Sequence, residues 1–377
     1  VKNPVGLYVI AGEASGDQRG AELLRCLKTS HPALQILGAG GPKIQALADG
    51  PFLDWSSEAV VGLWDVLRKY GYFKAQFDRM LREIERERPT ALLLIDYPGF
   101  NLRLAKAARQ RFPELKILYY ISPQVWAWNQ GRIPKMAQWL DLMLCIFPFE
   151  KTLYEASGLR TEFVGHPMLD TLAALKTGSP RSENLIGLFP GSRTREVRKL
   201  FPVMLSAARA LSAKRPGLQF EVAAASPAIA TWMHDYLREN GYDPAFCRIG
   251  VDRFYQLAQE AAVGMVCSGT ATLESAYFGL PMVILYKVAW PTWIIAKRLV
   301  KLPHIGMPNV IAGREIAREF LQSAAEPGAI AEELGRLLQD PAARRRQQSE
   351  FEGVIASLGL PGAGARAAQA VAQALAL

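Results

Sequence analysis

The sequence predicts an α/β protein made of two doubly wound, Rossmann-like domains that face each other across an interdomain cleft. Three observations carry this. Short apolar, β-rich runs alternate with helical segments, the pattern of parallel sheets covered by helices on both faces. The scheme also opens twice: VGLYVIAGEASGDQRGAELL at residues 5–24, and again LIGLFPGSRTREVRKL at residues 185–200. Finally, 377 residues exceed what most single cores hold, so about two domains are expected.

In the first half the strand-like runs are residues 5–11, 34–38, 91–95, 117–121 and 142–146, interleaved with helical segments such as 101–111. The second half follows the same plan at 185–189, 220–224, 246–250, 263–267 and 282–286, without a repeated sequence. Between them GHPMLDTLAALKTGSPRS loses strand patterning and collects Gly, Ser and Pro. The boundary is therefore expected near residues 165–181, giving domains of 1–170 and 182–345. The tail from residue 329 is helical, and its last segment, 362–377, is a small-residue helix suited to packing back on the first domain.

Composition is that of a soluble globular chain, 50% hydrophobic and 21% charged. A formal charge of +9 favours an anionic partner without choosing among nucleic acid, phosphorylated metabolite and acidic membrane. Cys26, Cys145, Cys247 and Cys267 are scattered singly, which reads as reduced thiols in a cytoplasmic protein. His31, His166, His234 and His304 lack zinc-site spacing, so no metal is expected. The opening VKNPVGLYVI has no signal-peptide pattern, and the most apolar stretch, 280–296, is broken by Pro281, Lys287 and Pro291. Secretion and membrane crossing are both disfavoured.

The chemistry is expected in the loops that leave strands, because open parallel sheets bind ligands beyond their carboxyl ends. PGSRTREV opens a helix: Gly191 lets the backbone come close, the N–H groups around Ser192 can hold a phosphate, and Arg193 adds a permanent charge. A plain turn with a surface arginine is the competing reading. CSGTATLESAYFG places Ser268, Gly269 and Thr270 at a helix N-terminus suited to a diphosphate. Glu274, one turn on, can bind ribose hydroxyls or simply offset the helix dipole.

In GEASGD, Gly12, Gly16 and Gly20 are spaced by four, not in the Gly-x-Gly-x-x-Gly order of a dinucleotide site. Glu13 and Asp17 would repel phosphate, so with Ser15 this loop suits a hydroxyl-bearing acceptor; a capped helix start is the alternative. Asp96 ends the strand ALLLID, where a general base would be useful, although a lone Asp there can also be a turn residue. Asn101 follows in the same loop. SPQVWAWNQGR offers Trp126 as a platform for a sugar ring or acyl chain, with core packing equally open. His166 beside the linker reads as structural.

Together GEASGD, IDYPGFN, SPQVWAW, FPFE, GHP, PGSR, SGTATLE and MPN…E…EFLQ, in order over residues 12–322, closely resemble the lipid-A-disaccharide synthase family of membrane-associated glycosyltransferases. The resemblance implies a glycosyltransferase B-type fold and transfer of 2,3-diacylglucosamine from UDP to the 6-hydroxyl of 2,3-diacylglucosamine 1-phosphate. Inversion to a β-1,6 linkage and release of UDP are implied with it, and no metal or organic cofactor. Arg193 would hold phosphate, Glu274 the ribose, Asn309 would stand by the nucleotide, and Asp96 would be the base. Relatives often carry a second acid where this chain has Gly99. The implied location is cytoplasmic, peripheral on the inner face of the inner membrane of a Gram-negative cell, and a homodimer stays open.

Rival readings are another UDP-N-acetylglucosamine enzyme of the same fold, a non-catalytic UDP-sugar sensor, or a nucleic-acid binder. GEASGD and SPQVWAW argue against the first, Asp96 against the second, and dispersed basic residues against the third. An anionic membrane surface is an expected partner. Val60, Leu63, Trp64 and Leu67 fall at helical spacing, and WPTWIIAKRLVKL combines Trp293 with Arg298 and neighbouring lysines. Leu63→Glu with Trp64→Ser is expected to reduce flotation with anionic liposomes in a protein that stays folded; full flotation would exclude the first stretch as the membrane face.

Overall fold

The computed structural model describes residues 6–55, 70–289, 293 and 302–377. The chain forms two compact units, Val1–Asp170 with Leu358–Leu377, and Thr171–Ser357.

The first unit holds a parallel sheet of β1 (Gly6–Ala11), β2 (Gln35–Gly40), β3 (Phe52–Asp54), β4 (Ala91–Ile95), β5 (Lys116–Tyr120), β6 (Leu142–Cys145) and β7 (Thr161–Phe163), in the order β3-β2-β1-β4-β5-β6-β7. The second holds β8 (Ser182–Phe189), β9 (Gln219–Ala224), β10 (Arg248–Val251), β11 (Ala261–Cys267), β12 (Met282–Tyr286) and β13 (Glu319–Leu321), in the order β10-β9-β8-β11-β12-β13. Helices link the strands, so the central ones are buried on both faces: residues 7–11 of β1 and all of β4 are at most 1% exposed. This is why they read as unbroken apolar runs rather than alternating ones. Every apolar run expected as a strand is one, within a few residues at its ends. The missing strands β3, β7 and β13 are three-residue edge strands, partly exposed and too short to leave a pattern.

The second unit continues past the expected end at residue 345, because the helix Pro341–Ser357 is pinned to it. Gln347 acts as a strand partner there: its Oε1 accepts from the Met282 amide at 2.8 Å and its Nε2 donates to the Met282 carbonyl at 3.1 Å. Phe351 on the same helix is fully buried. The chain then rejoins the first unit. The Leu358 carbonyl accepts from the His166 amide at 3.0 Å, the Asp170 carboxylate accepts from the amides of Gly362 and Ala363, and Arg366 Nε donates to the Val164 carbonyl at 2.8 Å. The terminal helix Ala363–Leu375 lies against Ala14–Ser30 through buried Ala363, Gly364, Ala367 and Val371, whose small side chains let the two backbones approach.

Asp17 departs from its expected role. It is 3% exposed, and its carboxylate accepts from the amides of Gly41 (3.0 Å), Lys43 (3.0 Å) and Ile44 (2.9 Å), closing the N-terminus of the helix Pro42–Gln45. It joins the loop after β2 to the helix after β1, and three of the roughly four acceptor positions of its carboxylate are taken by backbone amides. Asp17→Ala would leave three N–H groups without their acceptor, and is expected to lower unfolding free energy by about 2–4 kcal/mol in urea titration.

Candidate functional site

In each sheet the strand order reverses once beside the strand that starts it, between β1 and β4 and between β8 and β11. At such a point neighbouring loops leave in opposite directions and open a crevice at the carboxyl ends. The four loops concerned carry GEASGD, IDYPGFN, PGSR and SGTATLE.

In the second unit the crevice is a cavity of about 590 Å³. Gly191, Ser192, Arg193, Ser268, Gly269, Thr270 and Glu274 all line it. Gly191 sits at φ 105°, a left-handed conformation that turns the backbone tightly enough for Arg193 to cap the helix Thr194–Lys214. Opposite, Thr272 Oγ1 donates to the Gly269 carbonyl at 2.7 Å at the start of the helix Thr270–Tyr277. Two helix N-termini and one guanidinium therefore border the same space, an arrangement that favours an anion. The Cys267 thiol in its wall is pushed up to about 12 by burial and stays neutral. Sequence reasoning missed Asp252, in the loop after β10, and Phe254 and Tyr255, at the start of the helix Phe254–Glu260 that follows it, all of which line the cavity. Tyr255 Oη donates to Glu274 Oε1 at 3.2 Å, fixing the carboxylate expected at the ribose. Their one signal was position after a strand, since VDRFY has no recognisable motif.

A larger cavity of about 720 Å³ borders Arg181, Arg215 and Arg344 at the opposite ends of the second sheet's strands. Two of its three arginines are spent on the fold: Arg181 donates to the carbonyls of Ala258 and Ala261 at 2.8 Å, and Arg344 to those of Leu337 and Leu338 at 2.8 Å. The smaller cavity therefore has the better claim to a ligand.

In the first unit Asp96 and Tyr97 are both at φ 49°, two consecutive side-chain-bearing residues in the left-handed region at the end of β4. Such strain persists only where the surroundings enforce it. Here the Asp96 carbonyl accepts from Tyr119 Oη (2.6 Å) and Asn101 Nδ2 (2.8 Å), and the Asp96 amide donates to the Tyr120 carbonyl (2.9 Å). The Tyr97 ring lies over Gly12, where a Cβ would meet it at 2.2 Å, so this glycine serves close packing of the two loops. The Asp96 carboxyl is pushed up to about 6, chiefly by burial and further by the negative charge of Glu13, partly offset by the Tyr97 amide. Glu13 and Asp96 are thus brought together. Gly99 is exposed with open space around it, so a second acid is missing from this turn for no steric reason.

Other expected site residues have different places. Trp126 is not an open platform: it is 5% exposed, packs edge-on against Phe149 at 4.9 Å, and donates from Nε1 to Glu150 Oε1 at 2.8 Å. Glu150, pushed up to about 7 by burial, joins SPQVWAW and FPFE into one packed unit. Asn101 is fully buried with its Nδ2 on the turn, and only its Oδ1 lacks a partner among the described residues. Ser15 is exposed in the first turn of its helix.

Asn309 does not line the cavity. It is fully buried, its Nδ2 donates to the Ala317 carbonyl (2.7 Å) and Glu319 Oε1 (2.8 Å), and its Oδ1 accepts from the Ile316 and Ala317 amides (2.9 Å each). Glu319 also accepts from the Ile305 amide, whose carbonyl accepts from Ser268 Oγ at 3.0 Å. Asn309 thus supports the cavity through Ser268. His166 is buried, with Nδ1 accepting from the Met168 amide at 3.2 Å; burial and then Arg19 hold it down to about 3, so it is a neutral structural residue. Val60, Leu63, Trp64, Leu67 and Arg298 lie outside the described residues, and Trp293 is half-buried.

The sequence pattern of a family described as lipid-A-disaccharide synthetase matches residues 7–373. The chain is 42% identical over 356 residues to the lipid-A-disaccharide synthase of Trichlorobacter lovleyi, covering 90% of each. It is 38% identical over 377 residues to that of Geobacter metallireducens, covering 98% of this chain and 97% of the relative. Its fold is similar to that of UDP-GlcNAc 2-epimerase from Neisseria meningitidis, with a TM-score of 0.60 over 99% of this chain and 100% of that one; at 11% identity the likeness shows the fold alone. Two Rossmann-like units, motifs at both strand-order reversals and relatives matched over nearly their whole length lead to one conclusion: the chain belongs to the lipid-A-disaccharide synthetase family of glycosyltransferases.

Proposed function

We propose that the protein transfers 2,3-diacylglucosamine from UDP to the 6-hydroxyl of 2,3-diacylglucosamine 1-phosphate, with inversion, giving a β-1,6-linked disaccharide 1-phosphate and UDP. The observation that carries this reading is the pairing of site types: an anion-favouring cavity in one unit and a desolvated carboxyl of raised pKa in the other. In the cavity the Gly191 and Gly269 turns and Arg193 receive the diphosphate and Glu274 the ribose. Charge on the leaving UDP is met by the guanidinium and backbone amides, which makes a metal unnecessary.

Asp96 is the base. Inverting transfer needs the acceptor hydroxyl to lose its proton as it attacks the anomeric carbon, while the donor's C–O bond to phosphate breaks. Burial raises the proton affinity of Asp96 and leaves the carboxylate ionised at neutral pH, the compromise that proton abstraction favours. Tyr119 and Asn101 hold its backbone and thereby aim its side chain.

The protein works at the inner face of the inner membrane as a peripheral protein, because both substrates carry acyl chains. No helix among the described residues is long and apolar enough to cross a bilayer. The direct test is incubation with both acylated substrates and detection of UDP and the disaccharide by mass spectrometry. A product formed only from unacylated UDP-N-acetylglucosamine would favour the rival enzyme reading.

Outcomes follow for three single residues. Arg193→Ala is expected to weaken UDP binding by roughly 1.5–3 kcal/mol in calorimetry, and Glu274→Gln by less. Asp96→Asn is expected to lower turnover about 10²–10⁴-fold with UDP affinity unchanged. Since Asp96 acts as a base only when ionised, wild-type kcat/KM should fall as pH drops through about 6 and level off above it. Unchanged turnover in Asp96→Asn, or loss of both turnover and UDP binding, would remove Asp96 from this role.

A further inference from the structure

The cavity of the second unit contains a negative charge that the proposed reaction does not use. Glu196 lines it beside Arg193, and Arg193 Nη1 donates to Glu196 Oε1 at 3.1 Å. The other carboxylate oxygen, Oε2, stands 2.9 Å from the point where a Cβ on Gly191 would lie. The carboxylate is thus folded over the Gly191 turn, in the first turn of the helix Thr194–Lys214, with the guanidinium on one side and the helix N-terminus below. Its side chain is 27% exposed against 68% for Arg193, so the acid is the more enclosed partner of the pair. Its field also reaches Cys267 in the cavity wall, whose thiol is raised first by burial and then by Glu196.

A carboxylate in that position uses the features a phosphate would need: the turn, the dipole of the helix and one face of the arginine. Two anions cannot both be satisfied there, because their mutual repulsion in a partly desolvated crevice offsets what the second one gains. We propose that Glu196 is an internal competitor of the nucleotide diphosphate for Arg193, a carboxylate that weakens nucleotide binding and speeds release of the nucleoside diphosphate product. This rests on the reading of the cavity as the donor site. A transferase whose product retains the whole diphosphate gains from such a device, since the contacts that stabilise the leaving group would otherwise hold the product.

Glu196→Gln keeps the size of the side chain and its ability to accept from Arg193 while removing the charge. Calorimetry and stopped-flow displacement with UDP and with uridine test the proposal. UDP affinity is expected to rise about three- to tenfold at low salt, through slower dissociation, while uridine affinity stays unchanged. The gain should shrink at high salt and in the Arg193→Ala background. Glu196→Ala, which also loses the hydrogen bond to Arg193, should show a gain of the same sign. Unchanged or weaker UDP binding in both variants would overturn the proposal, as would an equal gain for uridine. If Arg193→Ala itself leaves UDP affinity unaltered, the donor-site reading fails; if it weakens UDP binding while the Glu196 variants show no gain, only the role of Glu196 fails.

Discussion

The reversal of strand order beside β1 and beside β8 is the constraint on which the rest depends. A parallel sheet covered by helices has no free face, so polar chemistry can emerge only where connections leave the strands, and only at a reversal do adjacent connections part. Both halves place their unusual backbone there. Gly191 and Gly269 have positive φ in one unit; Asp96 and Tyr97 do in the other. The buried strands hold these turns in place, because moving any of them would disturb a core with little room to adjust.

The two crevices have opposite electrostatic character, and that difference assigns their tasks in the proposed reaction. Around Gly191 the helix N-termini and Arg193 favour negative charge, tempered by Glu196. Around Asp96, burial and the nearby charge of Glu13 raise the cost of ionising the carboxyl, which suits the removal of a proton and repels phosphate. In the proposed reaction one fold plan serves a nucleotide in one unit and a hydroxyl in the other through the residues of a few loops.

Several motif residues act on the protein rather than on a ligand. Asp17 fastens the loop after β2, Trp126 and Glu150 join two motifs into one packed unit, and Asn309 with Glu319 secures the chain that supports Ser268. Asp17, Trp126, Glu150 and Asn309 are buried with hydrogen bonds made, and each helps fix a loop at a strand end. A turn bordering a binding site must be held by something, and side-chain bonds to backbone are the available means where no strand or helix ladder reaches.

The central strands, the helices between them and the loops bearing Gly191, Arg193, Ser268, Glu274 and Asp96 were legible in the sequence, since double burial writes apolar runs and a strand end followed by glycine marks a turn. The edge strands β3, β7 and β13 were not, because three residues, most of them partly exposed, carry no periodicity. Neither was the difference between a carboxylate open to a ligand and one consumed by backbone amides: Glu13 and Asp17 look alike in GEASGD, yet only Asp17 meets the start of Pro42–Gln45. Tyr255 reaches Glu274 from the helix Phe254–Glu260, Glu196 lies over Gly191, and Tyr119 holds the turn at Asp96. Except for Glu196 and Gly191, these pairs are distant in sequence. Local pattern decides where a loop begins; which groups converge on it depends on strand order and on how side chains fill the space between elements, and that only the tertiary structure decided.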